Sequence, residues 1–127
     1  MNCPCGRNKE YRDCCAKPHQ DISNALSAED LMRSRFTAFT KANGDYLMLS
    51  HHSTTRPENS NEIVAWARSV KWLRLEILNA TGGKENDSEG TVEFKAHFKE
   101  KGKKHFIHED SKFVRENDNW MYLGFNS

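Results

Sequence analysis

At 127 residues, with 36% hydrophobic, 29% charged and 10% aromatic residues, the chain fits one polar but foldable domain with a short appendage, and excludes both a second full core and a disordered chain. Nineteen Lys and Arg against eighteen Asp and Glu leave a formal charge of +1, which excludes a chain-wide basic field for nucleic acid or anionic lipid. No apolar run approaches the roughly 18 residues that cross a bilayer, and the N-terminus carries cysteines and charges where a signal peptide has its apolar core. The expectation is a cytoplasmic protein with no membrane insertion.

The sequence divides into a Cys-rich segment over residues 1–18, a link over 19–26 and a body over 27–127. All four cysteines lie in the first piece, as Cys3-Pro4-Cys5-Gly6 and then Cys14-Cys15. Zn²⁺ in structural sites takes four tetrahedral soft ligands, and one ion orders a segment too short to build its own core. One structural Zn²⁺ on Cys3, Cys5, Cys14 and Cys15 is therefore expected, with Pro4 stiffening the turn, Gly6 free to take positive φ and residues 7–13 spanning about two helical turns. A pair of disulfides is the weaker reading, because adjacent cysteines close a strained ring and disulfides are uncommon in the cytosol. His19 stands as an alternative ligand. Arg7, Lys9, Arg12 and Lys17 form a basic rim that either offsets the negative thiolate site or meets an acidic protein surface or RNA phosphate.

Cys-Pro-Cys-Gly followed by Lys9, Tyr11 and Cys14-Cys15 resembles the SEC-C motif, found at the C-terminus of the SecA translocase and in many bacterial proteins. In SecA that motif is associated with zinc and with binding the chaperone SecB, so the resemblance implies protein recognition by the knuckle. The motif usually has Ser-Gly where Arg7-Asn8 stand, and Gly or His in place of Ala16. Those departures spare all four sulfur ligands.

In the body, Ser27 reads as the N-cap of a helix running to about Ala42, with Asp30 near the reciprocal capping position and Met32, Phe36 and Phe39 as its buried stripe. Asn43-Gly44-Asp45 interrupts it and caps a second helix through about Leu49, and Ser60 caps a third over about Glu62 to Arg68. Strands are expected over Val70 to Leu78, Thr91 to Phe98, Lys104 to Glu116 and Asn119 to Phe125, joined by hairpins. Helices first and an antiparallel meander afterwards predict an α+β fold, with helices covering one face of a curved sheet.

Leu31 to Phe39, then Asp45-Tyr46-Leu47, His52, Thr55-Arg56-Pro57, Glu109, Phe113, Trp120 and Tyr122, are together similar to the YchJ-like family of bacterial proteins. The family implies a SEC-C knuckle joined to a cone-shaped α+β roll of the nuclear transport factor kind, and no agreed reaction.

Such rolls hold small ligands in their concave face, so the inward-facing residues become candidates. About 100° per helical residue places Arg35 and Arg33 on opposite flanks of the apolar stripe, with Arg35 the better placed to point inward. Period-two alternation sets Ile107, Glu109, Ser111 and Phe113 on one strand face. An Arg35–Glu109 ion pair is expected, because an unpaired buried charge there would cost several kcal/mol. Arg35, Trp72, His97 and Glu109 are the pocket candidates, while the remaining aromatics and histidines read as packing or surface. No Ser-His-Asp order, phosphate loop or His-Glu-x-x-His motif is present. The resulting expectation is a zinc-binding recognition or adaptor protein, contacting another protein or RNA through the knuckle and able to form a homodimer through the outer sheet face. The alternative is a small-molecule enzyme using Glu109, His97 and Arg35 for acid–base work. An open polar cavity would favour the alternative, and a filled cone with an exposed basic knuckle the first.

Overall fold

A computed structural model describes residues 2–125. Its elements in chain order are α1 (Ala16–Gln20), α2 (Ala28–Thr40), α3 (Gly44–Leu49), α4 (Asn61–Ser69), β1 (Lys71–Gly82), β2 (Glu89–Glu100), β3 (Lys103–Glu116) and β4 (Asn119–Phe125), with short 3-10 turns at Tyr11–Asp13 and Ile22–Asn24. The strands form one antiparallel sheet in the order β1-β2-β3-β4. Helices on one face of a meander give the α+β roll that the sequence predicts.

Local chemistry sets the boundaries. Ser27 Oγ accepts from Asp30 N at 3.0 Å and the Asp30 carboxylate accepts from Leu26 N at 3.2 Å, so both partners of a capping box act at the start of α2, although the return bond reaches one residue further back than expected. Asn43 Oδ1 caps α3 by accepting from Tyr46 N at 3.1 Å. Ser60 makes no such bond to α4; Asn59 Oδ1 instead accepts from Asn61 N at 3.0 Å. The tight hairpins turn at Lys101-Gly102 and Asn117-Asp118, all with positive φ, the conformation that two-residue turns between twisted strands require.

One expectation near the N-terminus is corrected. Residues 7–13 do not form two helical turns; they run through bends into the single turn at Tyr11–Asp13, because the segment returns through an antiparallel bridge between Asn2 and Glu10 and a bond from Cys3 N to Lys9 O of 2.6 Å. The stretch read as a link contains structure, with α1 crossing position 18/19 and the Ile22–Asn24 turn following it. Pro18 is tolerated in α1 because it occupies the first turn, where its missing N–H has no intrahelical partner.

The core lies between α2, α3 and the concave sheet face, where Leu31, Phe36, Val92, Phe113 and Trp120 are each at most 2% exposed. Period-two burial along β2 sends Val92, Phe94, Ala96 and Phe98 inward. At the far end Gly83 closes against α2: its carbonyl accepts from Ala28 N at 2.8 Å, its φ is +70°, and an added Cβ would lie 2.6 Å from Ala28 Cβ.

Candidate functional site: a four-cysteine knuckle and a cone cavity

The Sγ atoms of Cys3, Cys5, Cys14 and Cys15 all lie within 4.8 Å of one another. Cys5 and Cys14 are 3.6 Å apart, far beyond a disulfide of about 2.05 Å. Tetrahedral thiolate ligation with metal–sulfur bonds of about 2.3 Å separates sulfurs by about 3.8 Å, so the spacing fits one ion. The protonation chemistry fits as well. Hydrogen bonding from the Cys15 thiol holds Cys5 down to about 5, burial pushes Cys14 up to about 11, and the bond to Cys5 together with burial pushes Cys15 up. Crowded buried thiols thus resist joint ionisation, and a divalent cation is the group that reverses this.

The knuckle is docked rather than dangling. Thr37, 0% exposed on α2, donates its hydroxyl to Cys15 Sγ at 3.3 Å and lies 3.6 Å from Cys3 Sγ. Arg33 Nη1 donates to the Cys5 carbonyl at 2.7 Å, and Arg7 pairs with Asp30 at 2.6 Å. Lys41 places its ammonium 4.2 Å over the Tyr11 ring. Asp30, Arg33, Thr37 and Lys41 fall at i, i+3, i+7 and i+11, one polar stripe along α2 and its C-cap. Gly6 takes φ +94° where the chain passes Arg33.

His19 lies outside the four-cysteine group, with both ring nitrogens engaged elsewhere. Its Nε2 lies 2.7 Å from the Ser34 carbonyl, which fixes the proton on that nitrogen, and its Nδ1 lies 2.8 Å from Tyr11 Oη. Burial lowers its pKa, with the bond to the Ser34 carbonyl opposing. The imidazole therefore bridges the knuckle to α2. Of the basic rim, Arg7 is engaged with α2, Arg12 pairs with its neighbour Glu10 at 3.0 Å, and Lys9 and Lys17 are exposed.

On the other side of α2 the cone holds a partly open cavity of about 290 Å³. Phe36, Phe39, Trp66, Trp72, Phe94 and Ile107 wall its apolar part, and Arg35, His51, Glu109, Ser111 and Tyr122 stand at its polar end. Phe39, Trp66 and Trp72 meet edge-on or tilted with centroids 5.2 to 6.4 Å apart, a rigid aromatic wall.

Arg35 is 4% exposed. Its Nη1 donates to the Leu47 carbonyl at 2.9 Å and to Ser50 Oγ at 2.7 Å, and its guanidinium carbon sits 4.6 Å over the Tyr122 ring. Burial draws its pKa to about 10, leaving it charged at neutral pH. The expected ion pair with Glu109 does not form: the half-buried carboxylate takes a 3.4 Å bond from Ser111 Oγ instead. The two charges face one cavity without contact because α3 and Ser50 hold the guanidinium back. Burial raises the Glu109 pKa, partly offset by Ser111 and Arg35, and burial beside Arg35 lowers His51 to about 4.

Trp72 lines the cavity and donates Nε1 to the Ala67 carbonyl at 3.2 Å. His97 does not line it. Alternating with inward Ala96 and Phe98, it faces the opposite side of the sheet, 3.1 Å from Glu76. Thr37 and His51 were not singled out from the sequence, and Arg33 was placed only on a flank of the apolar stripe, without its bond to the knuckle. The spacing along α2 could have flagged Thr37 and Arg33, whereas His51 follows a helix end, where no periodicity assigns a direction.

A roll of helices on a meander, preceded by a four-cysteine cluster fit for a metal ion, defines a SEC-C-type protein with a nuclear-transport-factor-like body. The family model described as the middle NTF2-like domain of YchJ matches residues 27–124. UPF0225 proteins of Vibrio vulnificus and Bordetella pertussis are 38% and 40% identical, covering 96% and 95% of this chain and 72% and 89% of the relative. The solution structure of a SEC-C motif containing protein from Rhodopseudomonas palustris superposes with a TM-score of 0.89 at 32% identity, covering 100% of this chain and 98% of that one. The crystal structure of a SEC-C motif containing protein from Psychrobacter arcticus gives 0.82 at 29% identity, with 97% and 80% covered. The chain belongs to the YchJ-like family.

Proposed function

We propose that this chain is a zinc-braced small-molecule-binding protein of a reducing, cytoplasmic compartment. One structural Zn²⁺ is held by Cys3, Cys5, Cys14 and Cys15, and the cone receives a compact ligand with an apolar body. The observation that carries the reading is the cavity of about 290 Å³ with a buried guanidinium at its end, close to the roughly 300 Å³ at which ligand pockets begin. All four sulfur donors serve the ion, so the metal centre offers no open position for a substrate and acts as a brace.

Acid–base catalysis by Glu109 with His97 lacks support, since the two side chains lie on opposite faces of the sheet. A second reading, an adaptor that meets an acidic protein surface through the knuckle, is favoured by the exposure of Lys9, Arg12 and Lys17. The test is a panel of neutral, anionic and cationic single-ring aromatics followed by the indole N–H signals of the three tryptophans. Trp66 and Trp72 should move while Trp120, 0% exposed and outside the cavity wall, stays in place. If no probe moves the first two, the cavity is packing space and the adaptor reading takes over.

A further inference from the structure

The polar end of the cavity carries a donor without an acceptor. A guanidinium has five N–H donors in a rigid fork, and Arg35 commits the pair on Nη1 to Leu47 and Ser50. Among the described residues Nε and Nη2 have no hydrogen-bond acceptor. Neither is sealed off, because Trp120 Nε1 is the one fully enclosed side-chain polar atom lacking a partner among those residues. Arg35 is 4% exposed and lines the cavity, so the open edge of its fork faces that space.

The remaining surroundings narrow what fits there. Tyr122 covers one face of the guanidinium and fixes its plane, and no carboxylate comes within 4.0 Å of it among the described residues. A fork of parallel N–H donors matches the two oxygens of a carboxylate. Beyond it the wall is aromatic, and the single cation with Glu109 across the cavity argues against a more highly charged group.

We propose that the roll binds a small aromatic monocarboxylate, with its acid group forked onto Nε and Nη2 of Arg35 and its ring against Phe36, Trp66 and Trp72. This rests on the cavity reading above. The bound acid supplies the acceptors that the buried cation lacks, and a neutral isostere leaves that cation uncompensated.

Phenylacetate, phenylacetamide and phenethylamine have nearly one shape and differ in charge. Titrated into the full metal-loaded chain, phenylacetate should shift the Trp66 and Trp72 indole signals, leave Trp120 in place, and bind at least tenfold more tightly than the amide. Glu109→Gln removes the carboxylate across the cavity and should raise the affinity for the acid several-fold. Arg35→Met should lose at least tenfold; if that variant fails to fold, the probe ranking and Glu109→Gln still decide. An amide within tenfold of the acid, an amine tighter than either, or an acid affinity that does not rise in Glu109→Gln overturns the carboxylate assignment and leaves the cavity reading standing. No movement of Trp66 or Trp72 with any probe removes both.

Discussion

On one side of α2 the knuckle is held by single polar contacts, the Thr37 hydroxyl on Cys15, Arg33 on the Cys5 carbonyl and Arg7 on Asp30. On the other, Met32 and Phe36 are buried against the sheet among aromatic rings. The knuckle's own apolar cluster is little more than its cysteines and Tyr11, too small to fold unaided, whereas the roll has a continuous core. A cysteine cluster fit for a metal ion takes the place of hydrophobic burial on one side of a helix that uses burial on the other.

Metal removal probes that contrast most strongly. Structural zinc contributes about 10–16 kcal/mol of apparent binding energy in small modules, so chelation, or Cys14→Ser with Cys15→Ser, should abolish amide protection over residues 2–15 while the four strands keep theirs. Loss of protection in β2 and β3 would mean the two sides fold as one unit. The converse experiment is Phe36→Ala. Truncating a ring that is 2% exposed should cost about 3–5 kcal/mol, seen as a lower midpoint in urea, with the metal stoichiometry of the folded fraction unchanged.

A smaller effect is expected at the seam. Thr37→Val keeps the side-chain shape but removes the donor to Cys15, and loss of such an outer-shell partner typically weakens metal affinity about 10- to 100-fold. Chelator competition measures this, and an unchanged affinity would reduce Thr37 to a packing residue. The mildest effect is electrostatic. His51 has its folded pKa lowered to about 4 from 6.5 by burial and by Arg35, Arg56 and His52. Between those values the unfolded chain binds the extra proton, so stability present above pH 6.5 declines as pH falls toward 4. His51→Asn should flatten that part of the stability curve, with Glu109 pulling in the opposite sense because its folded pKa is raised. An unaltered slope in the variant would assign the acid limb to other groups.

Much of this was readable because it depends on short-range rules. The Ser27 and Asn43 caps, the apolar stripe of α2, the strand alternation and the turns at Gly102 and Asn117-Asp118 follow from neighbours in sequence, and four cysteines within thirteen residues leave few alternatives to a shared ion. Alternation was also sufficient to turn His97 outward, since Phe94, Ala96 and Phe98 are inward. What could not be read depends on distances across the fold. Whether Arg35 reaches Glu109 is decided by Leu47 and Ser50 holding the guanidinium on the helical side. The bridge that folds residues 2–10 back on themselves, and the role of His19 between Tyr11 and Ser34, arise from docking rather than from propensity.

The polar stripe on α2 also bears on how the chain is made. Cys3 to Cys15 leave the ribosome ahead of the roll, yet the surface that receives them belongs to a helix packed against β1, β2 and β4, the last of which ends at Phe125. Synthesis at about 5–20 residues per second therefore leaves the nascent thiols without their berth for several seconds, exposed to oxidants and to competing metals before the finished roll can clasp them.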